Sequence, residues 1–443
     1  MTQERYGRHV RRDPHTAARW IAPLALLVAC LACIAAWFVF AQPHGAEPAD
    51  QGPSAVALER ESAVPTPVVK HPGNSPDCPD DDCIAMLVNG DLLFHPELWV
   101  NFEGPDTTAT DGTAFNFDPL FEPMRRYIEK SDIAVCEFET PIAQRGGPYT
   151  GYPVFNIPPE VADSAARVGY TACTHATNHS WDQGAEGIQR LTSTLDSLDS
   201  LGIAHTGSYN TEAESYEPLL IESPTGGGTL GLVAGTVSLN GFTADYDWRV
   251  DRLRDFGDPN HDADIQKAVD KANKAREQGA DVVAMAMHSV QEYLTDADTW
   301  QVAEAHALAD TGAFDVIYGA GCHCAQPIEQ YNDTWIIYGL GNALTVDAPP
   351  ENIVNNQGVT ARVQFAGKKG QPGTWRVSRI DWLPTANKRQ GVYQWCPLSD
   401  DHPDGACWSD EYDAQVRQRI WDVVYSMGAD QTVVREWRIT DEL

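Results

Sequence analysis

Side chains able to bind metal ions gather in the run Thr174–Gly184, THATNHSWDQG, which holds His175, Asn178, His179 and Asp182 and closes on a glycine. Gly169–Cys173 before it reads as a short buried strand, and Ala185–Leu201 after it reads as a helix. Sites in α/β proteins collect at such strand-to-helix turns, because the carboxyl ends of neighbouring strands converge there. Residues of the same chemistry follow other apolar runs: Asp91 and His95, Glu137 and Glu139, His288, His323 and Asn342. Carboxylates, an amide and imidazoles together suit Zn, Mn, Fe or Mg. A pair of such ions sharing a carboxylate is a hydrolytic device. Singly, each residue has an ordinary structural reading, as a satisfied histidine or a turn aspartate. Their recurrence at successive strand ends is what points to a site.

The elements that must position them alternate along the chain. Ile84–Val88, Asp132–Cys136, Gly169–Cys173, Thr229–Val237, Asp281–Ala286, Phe314–Tyr318 and Trp335–Tyr338 are predicted strands. Pro119–Lys130, Pro159–Val168, Ala185–Leu201, Asp264–Gln278 and Trp300–Asp310 are predicted helices, and Ile188, Leu191, Leu195 and Leu198 form a core-facing stripe at helical spacing. Gly358–Phe365 and Thr374–Leu383 read as a closing antiparallel pair. The order predicts a layered α/β domain over 84–385. Residues 386–443 are expected to be an extension packed on it, with a loop over Trp395–Trp408 and a helix over Glu411–Met427.

The first 83 residues have a different character. Residues 1–19 form a short tail with Arg5, Arg8, Arg11, Arg12 and Arg19, and Trp20–Ala41 carries no charge. As a helix this run spans roughly 33 Å, enough to cross a bilayer. The preceding arginines put the N-terminus in the cytoplasm and the main domain outside. A cleaved signal peptide and a lipoprotein signal at Leu27-Val28-Ala29-Cys30 are the rival readings. The apolar run continues well past Cys30, so an uncleaved anchor is the reading taken. Residues 42–83 are a linker rich in Pro, Ala and Gly. Of the ten cysteines, those beyond the span fall in what is expected to be an oxidising compartment. Cys78/Cys83, Cys396/Cys407 and Cys136/Cys173 are the pairings considered, and sequence alone does not fix connectivity. The formal charge of −32 excludes a nucleic-acid partner, which needs a basic surface. It serves solubility in the simplest reading; an anionic substrate would be handled through bound cations.

Taken in order, Gly90-Asp91, Glu137-Phe138-Glu139-Thr140, Asn178-His179 with Asp182 and Gly184, His288 with Glu292, Gly319–His323 with Gln326–Glu329, and Tyr338–Asn342 resemble the CapA family. These are capsule-synthesis and poly-γ-glutamate biosynthesis proteins, related to calcineurin-like metallophosphoesterases. The resemblance covers about Ile84–Leu383 and implies a metallophosphoesterase-like layered α/β sandwich behind a membrane anchor. It further implies one or two divalent ions (Zn, Mn or Fe), held by Asp91, Glu139, Asn178, His179, His288 and His323. His179, His288 and His323 would serve catalysis, while Glu137, Asp182, Glu292 and Asn342 would contact the ligands or the substrate; His95, which the resemblance does not secure, is a further candidate for such contacts. The implied partner is poly-γ-glutamate, another capsule polymer, or the membrane synthase that makes it. Two activities remain open, a metal-dependent hydrolase and a non-catalytic accessory protein. The chain departs from the family pattern at Gly321, where a histidine is usual, at Cys322 for a proline, and at Glu137 for an asparagine. Either one metal position is empty, or Cys322 or Glu137 takes the missing place.

Overall fold

The computed structural model describes residues 78–442, apart from 101–105, 110–112, 199–200, 202, 290, 347–353, 355 and 390–391. The basic tail, the Trp20–Ala41 span and most of the linker lie outside the described residues. No helix among the described residues is long and apolar enough to cross a membrane.

The chain first lays down β1 (Asp82–Leu92), β2 (Ile133–Glu137), β3 (Ala172–Thr174) and β4 (Ala204–Thr206) as parallel neighbours. Helices α1 (Glu160–Val168) and α2 (Gly184–Asp196) follow β2 and β3. The chain then builds a second sheet from β5 (Leu219–Glu222), β6 (Thr229–Thr236), β7 (Val282–His288), β8 (Val316–Ala320), β9 (Ile328–Tyr331) and β10 (Thr334–Ile337), in the order β5-β6-β7-β8-β10-β9. Helix α3 (His261–Glu277) connects β6 to β7, and α4 (Thr299–Asp310) connects β7 to β8. Returning, β11 (Asn342–Leu344), β12 (Gln357–Gly367), β13 (Arg376–Arg389), β14 (Val392–Pro397) and β15 (Val434–Glu436) complete the first sheet, with helix α5 (Asp410–Val424) before β15.

Side-chain alternation sorts the strands into layers. Ile84, Met86 and Val88 of β1 share a core between the sheets with Leu230 and Leu232 of β6 and Val282, Ala284 and Ala286 of β7. Leu87 and Cys136 point the other way, onto Val161 and Ala165 of α1 and Leu191 and Leu195 of α2. On the far face, Val283 and Met285 of β7 join a core with Ala268 and Ala272 of α3 and Leu308 of α4. The molecule is thus helices, sheet, sheet, helices. β7 is buried on both faces, which is why its sequence is an unbroken apolar run.

Three local expectations change. The helix over Pro119–Lys130 is broken into Asp118–Phe121, a tight turn at Glu122–Met124, and Arg125–Ile128. Pro123 has no N–H to give the ladder. The loop over Trp395–Trp408 begins inside β14, and β13 runs unbroken across 385 and 386, so the last residues extend the first sheet. The helix over Ala185–Leu201 stops at Asp196. The disulfides are Cys78–Cys83, Cys136–Cys173 and Cys396–Cys407. Cys136 and Cys173 face each other across the β2–β3 register. Cys322 and Cys324 are free and buried.

Candidate metal centre

β1 does not end at Val88. It continues through Asn89-Gly90-Asp91 to Leu92, so Asp91 is held inside the sheet, opposite Glu137 of β2 and Asn342 of β11. This approach requires Gly90, because a Cβ there would lie 1.6 Å from the Gly341 carbonyl oxygen. Across the sandwich, β7 ends at His288, whose Nδ1 is 2.5 Å from Glu137 Oε1 and whose Nε2 is 3.2 Å from Asn178 Oδ1. The carboxyl ends of strands from both sheets therefore meet at one edge.

His323 completes the group. Its Nδ1 lies 3.1 Å from Asp91 Oδ2 and 3.0 Å from Asn342 Oδ1, and its Nε2 lies 3.9 Å from Glu139 Oε1. Two acceptors facing Nδ1 make it the donor of this pair and turn Nε2 toward Glu139. The residue sits at φ +60°, a conformation uncommon for a side-chain-bearing residue. Asp91 also accepts from the Gly321 amide at 3.1–3.2 Å.

The electrostatics are unusual for a protein interior. Asp91, Glu137, Glu139, His288 and His323 are all at most 5% exposed. Burial, and then the Asp91 charge, push the Glu139 carboxyl up to about 8, against the pull of His323 and His288. The same two causes raise Glu137. Burial lowers His288, although Asp91 and Glu139 oppose it. At His323 burial also acts to lower the pKa, but Glu139 and Asp91 outweigh it and hold the imidazole well above its usual value. Neither oxygen of Glu139 has a hydrogen-bond partner among the described residues. Ligand atoms of Asp91, Glu139 and His323 lie within 4.8 Å of one another, as do those of Asp91, Glu137 and His288. This oxygen and nitrogen set, with an unsatisfied buried carboxylate in its midst, fits a divalent cation.

The remaining predicted residues form a rim. His179 Nδ1 is 2.7 Å from Asp182 Oδ2, which also accepts the Phe155 amide at 2.8 Å. Phe155 sets its ring edge-on to His179 at 4.7 Å and to His95 at 5.2 Å. His95 is buried, and burial, only partly offset by Glu97, lowers its pKa to about 4. Glu292 is exposed and acts on His288 and His323 through its charge alone. His175 stands apart, hydrogen-bonded to His205 and Ser208. The structure therefore brings Asp91, Glu137, Glu139, Asn178, His288, His323 and Asn342 together, and sets His179, Asp182 and His95 beside them. Gly321 lies at φ +83°, and a Cβ there would stand 2.6 Å from His288 Nε2 and 2.0 Å from the Ser289 carbonyl. His288 thus occupies the space a side chain at 321 would need.

Asn240 and Phe155 escaped sequence reasoning. Asn240 brings its amide nitrogen to 3.5 Å from the His179 ring. Its loop has no strand or helix periodicity, and the only signal nearby is a run of arginines at 249–254.

Fold and cluster together define a two-sheet α/β protein with a candidate divalent-cation centre at its strand ends. The bacterial capsule synthesis protein PGA_cap family model matches residues 85–346, and the chain belongs to that family. The PGA biosynthesis protein CapA of Bacillus subtilis (strain 168) is 27% identical over 274 residues, covering 60% of this chain and 65% of the relative. The capsule biosynthesis protein CapA of Bacillus anthracis is 24% identical over 275 residues, covering 59% of this chain and 60% of the relative. The chain thus spans less than two thirds of either relative's length. Among solved structures, the calcineurin-like phosphoesterase YfkN from Bacillus subtilis superposes with a TM-score of 0.42 at 13% identity, covering 77% of this chain and 98% of that one.

Proposed function

We propose that this chain is a membrane-anchored, extracytoplasmic protein of capsule or poly-γ-glutamate assembly. Its strand-end cluster would be a metal-dependent hydrolytic site of the metallophosphoesterase kind. The observation that carries the reading is Glu139, a buried carboxylate with neither oxygen hydrogen-bonded among the described residues, set against Asp91 and His323. Such a group is costly unless a cation satisfies it. Asp91, Glu139 and His323, with Glu137 and His288, would hold the ion. A bound divalent ion supplies Lewis acidity and lowers the pKa of a coordinated water. The chain's own part is positional. Asn342 and Asp91 fix the His323 ring, Glu137 and Asn178 fix His288, and Asp182 with Phe155 fixes His179 at the rim. Phosphoester and amide cleavage both suit this chemistry. The anchor is Trp20–Ala41, and the names of the relatives, capsule and PGA biosynthesis proteins, support the polymer or its synthase as partner.

A non-catalytic accessory role is the second reading, favoured by Gly321: an imidazole usual at this position in the family is replaced by a residue with no side chain. Metal analysis of the purified full-length protein separates the two. Stoichiometric Zn, Mn or Fe is expected in the wild type and should be lost in Asp91→Asn and His323→Ala. Absence of metal from every preparation would sink the hydrolase reading.

A further inference from the structure

Three arginines, Arg249, Arg252 and Arg254, follow one another closely in the loop between β6 and α3 of this strongly acidic protein. Two have carboxylate partners. Arg249 pairs with Asp245 and stacks on Trp248 at 4.4 Å. Arg254 pairs with Asp247 and with Asp264. Arg252 is half-buried and forms no ion pair among the described residues; it donates to the backbone carbonyls of Thr236 at 3.3 Å and Val237 at 3.0 Å. Burial, and then the Arg254 charge, lower its pKa. Nη1 makes no hydrogen bond among the described residues, although a guanidinium carries five N–H donors. Arg252 is thus a partly desolvated cation with no direct ion pair among the described residues, although the charges of Asp264, Asp247 and Asp258 act on it from a distance.

Arg252 lines a cavity of about 390 Å³ that also takes in Asp255, Asp258 and the Asp247–Arg254 ion pair, whose charges offset each other. Neither Asp255 nor Asp258 forms an ion pair among the described residues, and the Asp258 carboxylate accepts, among the described residues, only the Asn260 amide. The cavity adjoins the metal centre. Thr236 stands opposite His288 in the β6–β7 register, the Val237 amide donates to the His288 carbonyl at 3.3 Å, and Asn240 reaches the His179 ring. A plain anion would meet the two aspartates, and a plain cation would meet Arg252. A ligand with both charges on adjacent atoms meets neither penalty.

We propose that this cavity binds an α-amino-acid headgroup, with the carboxylate on Arg252 and the ammonium at Asp255 and Asp258. The proposal rests on the polyglutamate reading. In a γ-linked glutamate chain only the amino-terminal residue carries a free α-ammonium beside its α-carboxylate. The cavity would therefore select that end, and the following chain would run past Asn240 toward His179.

The test is calorimetric titration of the full-length protein in detergent with three probes: a γ-glutamyl oligomer with a free amino end, the same oligomer N-acetylated, and free glutamate. The free-ended oligomer is expected to bind ~10-fold or more tightly than the acetylated one. Arg252→Gln and Asp255→Asn should each erase that preference. Asp255 is exposed, so its variant keeps the test valid if Arg252→Gln fails to fold. Free glutamate binding as tightly as the oligomer, and losing affinity in Arg252→Gln, would uphold the headgroup site and assign it to the monomer. Equal affinity for both oligomers, a preference that survives Arg252→Gln, or no binding of any probe would overturn it. Asp91→Asn should retain the preference, so failure of the metal reading and failure of this one give different results.

Discussion

Two buried charge clusters show opposite solutions to the same problem. Between β12 and β13, Arg362 has no exposed surface, yet its guanidinium donates to Asp381 at 2.8 Å, reaches Glu442 and the Lys130 carbonyl, and lies 4.0 Å over the Trp437 ring. Arg379 adds a second cation to Asp381 at 2.6 Å. A smaller version lies beneath the β6–α3 loop, where Asp251 receives Lys271 at 2.7 Å and Lys267 at 2.9 Å. At the strand-end edge three carboxylates, Asp91, Glu137 and Glu139, share the interior with two imidazoles and no Lys or Arg ion pair among the described residues. In these two structural clusters the chain supplies the counter-charge itself. Where it does not, the structure favours a ligand that does.

Substitutions can break this comparison. The largest effect is expected from Arg362→Leu, which strands Glu442 and part of Asp381. It should cost about 3–5 kcal/mol in urea unfolding, and a loss below about 1 kcal/mol would show that the cluster is not structural. Lys271→Met should cost less, about 1–3 kcal/mol, because Lys267 remains. Asp251 adds a pH signature. Although burial raises its pKa, Lys271 and Lys267 bring it below the ordinary aspartate value. Its contribution to stability is therefore present above that value and lost as pH falls through the depressed folded pKa. Acid unfolding of Lys271→Met should begin at a higher pH than in the wild type, as followed by circular dichroism. The smallest effect on the fold is expected from Glu139→Gln in metal-free protein, within about 1 kcal/mol or stabilising, since a carboxyl held up at about 8 is largely neutral there and forms no hydrogen bond among the described residues that the amide would lose. A loss as large as that of Arg362→Leu would make Glu139 a structural residue and end the contrast.

The strands and most helices were legible because their apolar runs have the right length and period. Cys136 and Cys173 could be considered as partners because they fall near the ends of adjacent predicted strands, but their pairing was fixed only by the β2–β3 register. The polar strand ends were legible as a set, since Asp91, Glu137, Asn178, His288 and His323 each follow such a run. Their pairing was not. That His288 meets Glu137, 151 residues away, depends on two sheets packing face to face, and no local pattern encodes which strand ends then oppose each other. Arg252 and Asn240 were missed for a related reason, because they sit on a loop whose path follows from the sheets beneath it.

By itself the sequence determined the α/β layering, the residue types available at the strand ends, and the gap at Gly321. Alternation and composition set these residue by residue. Only the tertiary structure decided that Glu139 has no hydrogen-bond partner among the described residues, that the His288 ring fills the space beside Gly321, and that Arg252 faces a cavity without a direct ion pair among them. Whether a buried charge is satisfied depends on every neighbour at once, and those neighbours are assembled from distant parts of the chain.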